Sequence, residues 1–465
     1  MLAATRALAQ TSPALPHYPW TPGGSEQRLL PQPWRGSAFL IDESRVYSLA
    51  ELIDSAQRHN PEARVAWEQA RAQAEAAGVA RSELYPTLTA AAVARATRDD
   101  ILVGPTFDRQ QIRSAALAFD LTYMVFDVGG RAGRIENARA RTVAANFAFN
   151  DTHRRIIFEV SDAYYRLLHA SGQEVAARAS LANAQTVQKA AEERLQSGLA
   201  TLPDVLEARS AAARADYELQ AAFGATEIAQ GNLATALGAR PSGPLHVQPL
   251  EDIVQPESIG MTVNEAMDRA FTQRPDLMQR VADIRAADAR TREARAGFFP
   301  TLNLRVQPAS QMLRGLQRSY QWADGDGAFG AAGVSLDWKV FDGDARSRQL
   351  AEAHADAAAA RARATSVSDD IANDVWTAYS QFTTALRRRQ AATALLDSAG
   401  QSYAAALDSY TLGLRSLLDV TAAQQTFAQA RSADVLARTE ALIALASLAF
   451  QTGDAMQSTS RMGRP

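Results

Sequence analysis

Two stretches decide the fold: Leu117-Ala118-Phe119-Asp120-Leu121-Thr122-Tyr123-Met124-Val125-Phe126-Asp127 and, 215 residues later, Ala332-Gly333-Val334-Ser335-Leu336-Asp337-Trp338-Lys339-Val340-Phe341-Asp342. In each, apolar side chains alternate with small or polar ones up to a Phe-Asp pair. Period two is a strand with one apolar face. Shorter runs upstream behave alike: Leu88, Ala90, Ala92 and Ala94 in the first copy, and Leu302, Leu304 and Val306 in the second, with Asn303, Arg305 and Gln307 between them. Each copy therefore carries two strands, expected to be joined by a polar loop over 99–111 and 309–328. One apolar face suits a transmembrane barrel stave, apolar outward and polar inward. A soluble amphipathic sheet has the same pattern, so the hairpins alone leave both open.

The surroundings repeat as well. Tyr47-Ser48-Leu49-Ala50-Glu51 through Asn60-Pro61 and Tyr85-Pro86-Thr87-Leu88 return as Met261-Thr262-Val263-Asn264-Glu265 through Arg274-Pro275 and Phe299-Pro300-Thr301-Leu302, a shift of 214. The shift then becomes 215 and holds through Ala163-Tyr164 with Ala378-Tyr379, Asp204-Val205 with Asp419-Val420, and Gly238 with Gly453. A unit of this length is too large for a solenoid repeat of about 20–50 residues, so the chain is one fold unit written twice. Each copy opens on a helix, over 48–84 in the first: Ser48 with Glu51 forms a capping box, and an Ala-rich body stops before Pro86; Thr262 with Glu265 and the stop before Pro300 match it.

After each Phe-Asp pair come long stretches, 131–197 and 346–412, with no proline and few glycines. As helices these would reach on the order of 100 Å and need lateral partners along their length. Ile156, Val160, Tyr164 and Leu167 recur at steps of three and four, as do Val205, Ala208, Ala212, Ala215 and Leu219 beyond the break. That is coiled-coil spacing, and alanine at many seam positions admits close backbone approach. The breaks are Gln196-Ser197-Gly198-Leu199-Ala200-Thr201-Leu202-Pro203-Asp204-Val205 and Thr411-Leu412-Gly413-Leu414-Arg415-Ser416-Leu417-Leu418-Asp419-Val420. Glycine supplies a left-handed helix end and Pro203 fits a first helical turn, so each break reads as a tight turn between antiparallel helices.

Composition removes several classes. Net charge is -3 with 21% charged residues, which gives no basic footprint for nucleic acid; Arg387-Arg388-Arg389 is a solvated helix face. No cysteine is present, so disulfides, thiol catalysis and cysteine metal sites fall away. No apolar run is long enough for a membrane-spanning helix, so any crossing must use strands. The six histidines have no ligand spacing, and no cofactor or metal is expected. Gly325-Asp326-Gly327-Ala328-Phe329-Gly330 has the form of a dinucleotide fingerprint, but it precedes a strand and opens no helix; it reads as a loop flanking the barrel. Asp324 and Asp326 make a weak cation candidate. Ala7-Leu8-Ala9 before Gln10 looks like the end of a secretory signal, and the Pro- and Gly-rich segment after it reads as extended chain.

The doubled plan, the Phe126-Asp127 and Phe341-Asp342 junctions and the Gly-Leu-x-x-x-x-Asp-Val turns together resemble the TolC-like outer-membrane efflux proteins, over residues 47–453. The resemblance implies a mainly α fold with a β-barrel segment: three chains close a 12-stranded outer-membrane barrel that a helical tunnel continues into the periplasm. It implies a passive exit duct for tripartite efflux or type I secretion, with a periplasmic adaptor and an inner-membrane transporter, ABC or proton-driven, as partners. It also implies no enzyme activity. Carried over by position, Gly198, Leu199, Gly413 and Leu414 are adaptor-docking tips, and Asp204, Tyr410, Arg415 and Asp419 form the periplasmic constriction. Asp204 there answers Tyr410 and Arg415, while Asp419 builds a cation-attracting ring by threefold symmetry. Ala422 and Pro203 depart from the best-known gate. Lack of cysteine leans towards the non-lipidated branch, which includes secretion ducts. For Asp204 and Asp419, plain N-terminal helix charge is the competing reading.

The expected organisation is an N-terminal segment 1–46, a first copy 47–240 (hairpin 87–126, long helix 131–197, helix 203–237), a Pro-rich linker 241–260, a second copy 261–453 (hairpin 301–341, long helix 346–412, helix 418–452) and a tail 454–465. The rival to the duct is a soluble coiled-coil scaffold, with the strands as a small cap.

Overall fold

The computed structural model describes residues 42, 45–241, 243–317 and 322–454. The signal-like stretch, most of the extended N-terminal segment and nearly all of the tail lie outside them. The chain runs β1 (Val46–Tyr47), α1 (Leu49–His59), α2 (Pro61–Ser82), β2 (Thr87–Val103), β3 (Thr106–Phe126), α3 (Gly130–Gln196), α4 (Leu202–Ala236), β4 (His246–Val247), α5 (Val263–Gln273), α6 (Pro275–Ala296), β5 (Thr301–Gln317), β6 (Ala323–Asp337), α7 (Ala345–Thr411) and α8 (Leu417–Thr452). Each long helix has 67 residues, about 100 Å at 1.5 Å per residue. No described helix is long and apolar enough to cross a membrane.

Three expectations need correction. The single helix over 48–84 is two, because Asn60 takes extended backbone (φ -66, ψ 125) before Pro61, whose ring disfavours helical geometry in the residue ahead of it. Asn60 then caps α2 by accepting from the Glu62 N–H at 2.8 Å. Arg274 before Pro275 splits the second copy at the same place. The polar loops are mostly strand: β2 and β3 pair to Val103↔Thr106, and β5 and β6 pair to Gly315↔Ala323. Gly325–Gly330 therefore lies inside β6 and flanks nothing, while Asp324 pairs with Arg314 at 3.2 Å. Within the Pro-rich linker 241–260, β4 pairs in parallel with β1.

The four long strands form one antiparallel sheet in the order β2-β3-β5-β6. Its register sorts the side chains. Leu88, Ala90 and Ala92 stand opposite Leu121, Phe119 and Leu117; Leu121 and Tyr123 stand opposite Val306 and Leu304; these in turn oppose Ala332 and Val334. All belong to one apolar face. The alternate face is polar and is tied across strands, with Arg305 donating twice to Asp120 (3.0 and 2.6 Å) and Asn303 to Asp337 (2.9 Å). On the apolar face the uncharged band runs from Leu117 to Val125 along β3, about 30 Å of strand. Beyond it the face turns charged: Arg109 pairs with Asp100, and Arg113 and Arg314 lie over the Trp322 ring at 5.3 and 5.5 Å.

Sheet passes to helix through a sharp left-handed turn, at Val128 (φ 51) and Gly129 (φ 93) in one copy and at Gly343 (φ 63) and Asp344 (φ 68) in the other. The preceding aspartate secures it: Asp342 accepts from the Arg346 backbone N–H (3.3 Å) and Nε (2.6 Å), and Asp127 from the Arg131 backbone. Just below, α3 crosses α6 so closely that a Cβ on Gly133 would stand 2.9 Å from the Glu293 nitrogen. Midway along the helices a charged network is buried. Arg154 (3% exposed) bonds Asp151 and the Phe450 carbonyl (2.8 Å), with Asp276 3.7 Å away. Arg274 bonds Asp276 twice (3.1 and 2.6 Å) and Gln451 (2.9 Å), with Asp374 at 3.4 Å.

Burial works to raise the Asp276 carboxyl, but its hydrogen bonds and charge contacts with Arg274, and the charge of Arg154, outweigh that and hold it below the ordinary 3.8. A depressed folded value means that the contribution is present above the ordinary carboxylate range and is lost as pH falls through the lowered value. Arg154→Ala, which strands Asp151 and the Phe450 carbonyl, is expected to cost about 3 kcal/mol in thermal or denaturant unfolding followed by circular dichroism. Asp276→Asn is expected to lower stability at neutral pH and to flatten its fall below about pH 4.

Candidate functional site

Both helical hairpins end in the same backbone device. At the first tip the Leu199 N–H donates to the Arg194 carbonyl (2.8 Å) and Gly198 N–H to Leu195 (3.0 Å); at the second, Leu414 donates to Ser409 (2.8 Å) and Gly413 to Tyr410 (2.9 Å). These paired bonds are the Schellman closure, which needs a left-handed residue. Gly198 (φ 71) and Gly413 (φ 78) supply it. The next leucines, Leu199 and Leu414, are 67% and 76% exposed and form with Leu202, Leu412 and Leu418 an apolar rim.

The aspartates of the turns are helix caps in this chain. The Thr201 N–H and hydroxyl donate to Asp204 Oδ2 at 2.8 and 2.7 Å, and those of Ser416 donate to Asp419 Oδ2 at 3.1 and 2.7 Å. These bonds hold both carboxyls below their ordinary value: the Thr201 backbone bond first for Asp204, the Ser416 hydroxyl first for Asp419. Among the described residues neither carboxylate bonds Tyr410 or Arg415, although Arg415 lies near enough to Asp419 to contribute its charge.

Tyr410 is buried (4% exposed) in the apolar cluster that joins the tips, with Val187, Ala191 and Val205 of the first hairpin and Ala406, Leu417 and Val420 of the second. Its hydroxyl has no hydrogen-bond partner among the described residues, and burial raises its pKa. The group that does reach Tyr410 is Arg194. Its guanidinium lies 4.8 Å from the ring centre and donates to the Tyr410 carbonyl at 2.8 Å. Sequence reasoning missed Arg194, since nothing local to 194 points to a partner 216 positions away. The one available signal was its place in the last turn of a helix beside a glycine stop, where a cation bonds free carbonyls.

A one-faced antiparallel sheet standing on two helices about 100 Å long, each paired with a shorter one, is the fold of an outer-membrane channel-tunnel chain. The chain belongs to the outer membrane efflux protein family, whose model matches residues 52–239 and 266–454, the two copies. It is 27% identical to protein CyaE of Bordetella pertussis over 411 residues, 86% of this chain and 83% of that one. It is 28% identical to the pyoverdine export outer membrane protein OpmQ of Pseudomonas aeruginosa over 249 residues, 52% of this chain and 51% of that one. Among solved structures, the outer-membrane channel OprN superposes with a TM-score of 0.75 at 23% identity, covering 89% of this chain and 94% of that chain. The outer membrane protein VceC of Vibrio cholerae gives 0.70 at 20%, covering 87% and 96%. These likenesses show the TolC-like fold; the family is one of channels, and the place of this chain is the outer membrane.

Because open space surrounds Gly198, an added Cβ meets no atom and Gly198→Ala tests backbone conformation alone. It is expected to cost about 1–2 kcal/mol at the tip. Hydrogen exchange should show the Leu199 amide losing protection while the middle of α3 keeps it.

Proposed function

We propose that three copies of this chain form a passive exit duct, working with a periplasmic adaptor and an inner-membrane transporter in tripartite efflux or type I secretion. The observation that carries this is the sheet: four strands, one apolar face, one polar face, and two edges, β2 and β6, that no other described strand pairs. Unpaired edge N–H and C=O groups are not tolerated in hydrocarbon. Four strands cannot close, and about eight leave room only for side chains; twelve leave a lumen. A band of about 30 Å along strands tilted near 40° spans the roughly 25 Å of an outer-membrane apolar belt. The scaffold reading finds no support in this geometry, since it would leave the apolar face in water.

In the assembled duct the tips face the periplasm, with Gly198, Leu199, Gly413 and Leu414 meeting the adaptor. Tyr410 and Arg415 close the constriction, Asp204 accepts bonds from them across the tip, and the Asp419 carboxylates ring the axis. Three like charges around one axis attract cations. In the single chain the capping bonds favour the ionised form of each aspartate, and a ring of three would bind cations or raise its pKa.

Membrane fractionation is expected to recover a heat-resistant trimer from the outer membrane with detergent; a cytoplasmic, detergent-free monomer contradicts the duct. Tyr410→Phe removes a hydroxyl without a hydrogen-bond partner among the described residues, so stability should change little. Combined with Arg415→Ser it is expected to raise single-channel conductance severalfold in planar bilayers. Unchanged conductance would refute the constriction and leave the duct standing.

A further inference from the structure

Past its uncharged band the apolar face of the sheet sets two arginines side by side. Arg113 on β3 and Arg314 on β5 are direct partners across the ladder, on the face that also bears Leu117, Phe119 and Leu121, and only Ala115 separates Arg113 from Leu117 on that face. Like charges placed opposite one another destabilise a strand pair. Both guanidiniums lie over the Trp322 ring, at 5.3 and 5.5 Å, so one indole serves as the platform for both. Arg314 Nε meets Asp324 at 3.2 Å, whereas Arg113 has no ion-pair partner among the described residues. Arg109, farther out, is already paired with Asp100. Strands β3 and β5 lie inside the sheet, between β2 and β6, so the pair is complete within one chain.

A shallow hollow lined by Arg113, Ala115, Met312, Arg314, Asp324 and Asp326 opens beside the pair. The planar fork of arginine binds phosphate bidentately, and an oxyanion between two such forks relieves their repulsion. Asp324 and Asp326 bound the hollow on its β6 side, where a bare phosphate is repelled and a sugar hydroxyl can donate. Position narrows the choice further. The turn from β2 to β3 lies at the end of the sheet opposite to the one from which α3 and α7 leave. With the helices in the periplasm, the arginines stand at the level of the outer-leaflet headgroups, just above the apolar band. We infer that Arg113, Arg314 and Trp322 form a binding site for a phosphorylated glycolipid of the outer leaflet. Its phosphate sits between the two guanidiniums, and its acyl chains run past Ala115 and Met312 towards the band. The inference rests on the apolar face of the sheet meeting lipid, and not on how copies of the chain meet each other.

Native mass spectrometry of the detergent-purified protein reads bound lipid directly. With lipid A, a glucosamine-disaccharide lipid bearing two phosphates, the unaltered protein is expected to retain the lipid. Arg113→Gln with Arg314→Gln is expected to bind it roughly tenfold or more weakly, the loss that follows from removing charge-assisted bonds to one anion. Arg113→Lys with Arg314→Lys keeps the charge without the fork and should fall between the two. Arg109→Gln, whose charge is already paired, should bind as the unaltered protein does. Equal loss in Arg109→Gln, or equal retention of the same lipid stripped of its phosphates, overturns the site and leaves only general surface charge. Equal retention of phosphatidylglycerol overturns the choice of a glycolipid. If the glutamine pair does not assemble, the three lipids compared on the unaltered protein decide alone. Recovery of the unaltered chain outside the outer membrane would instead remove the embedding of the sheet, a result that no lipid preference can produce.

Discussion

Backbone hydrogen bonding in lipid is the constraint from which the rest of the molecule follows. A sheet that ends in β2 on one side and β6 on the other leaves two rows of polar groups that hydrocarbon cannot satisfy. In the trimer we propose, a neighbour's strands pair them. The helices inherit the same arrangement. Each leaves the sheet through a fixed left-handed turn anchored by Asp127 or Asp342, so the place of each strand pair fixes where the long helix below it begins. Alanine along the seams lets them pack side by side without bulk: Ala184, Ala212 and Ala215 cluster where α3 meets α4.

Duplication supplies the wall, and departures from it supply the specific contacts. Halfway down, Asn60 in the first copy spends its amide on the α2 N-terminus and the Ala236 carbonyl. Its counterpart Arg274 instead gathers Asp276, Asp374 and Gln451 into a buried network with Arg154. Such a network is costly to break rather than strongly stabilising in itself, and it ties elements of both copies together. At the tip the asymmetry is again an arginine, Arg194 against Ser409. In both places the second copy is bound to the first through a cation that meets helix-end carbonyls.

Much of this was legible in the sequence. The shift between copies, the Phe-Asp junctions, the glycine stops and the Ser48 and Thr262 capping boxes are local patterns, and local patterns survive without tertiary context. Strand length was not legible, because alternation is visible only where one face is apolar. Between Asp99 and Gln111 the alternation breaks, with Ile101, Leu102 and Val103 in a row and Phe107 alone among polar residues, and the ladder continues unseen. The split at Asn60 was written in Pro61, yet an Ala-rich run on both sides disguised it. For Asp204 and Asp419 sequence left two readings open; the capping bonds show where the carboxylates rest in one chain. Arg194, Arg154 and Arg274 could not be singled out, since their partners are set by which helices the fold makes neighbours.

Closure of one barrel by three copies is tested most directly by disulfide trapping between the two sheet edges. In a chain without native cysteine, one residue between Ala90 and Ala94 on β2 and one between Gly330 and Val334 on β6 can be replaced in pairs and oxidised in the membrane. The account predicts, for pairs in register, a covalent ladder that stops at three chains. A link formed within a single chain, or a ladder that stops at two or runs past three, would contradict it.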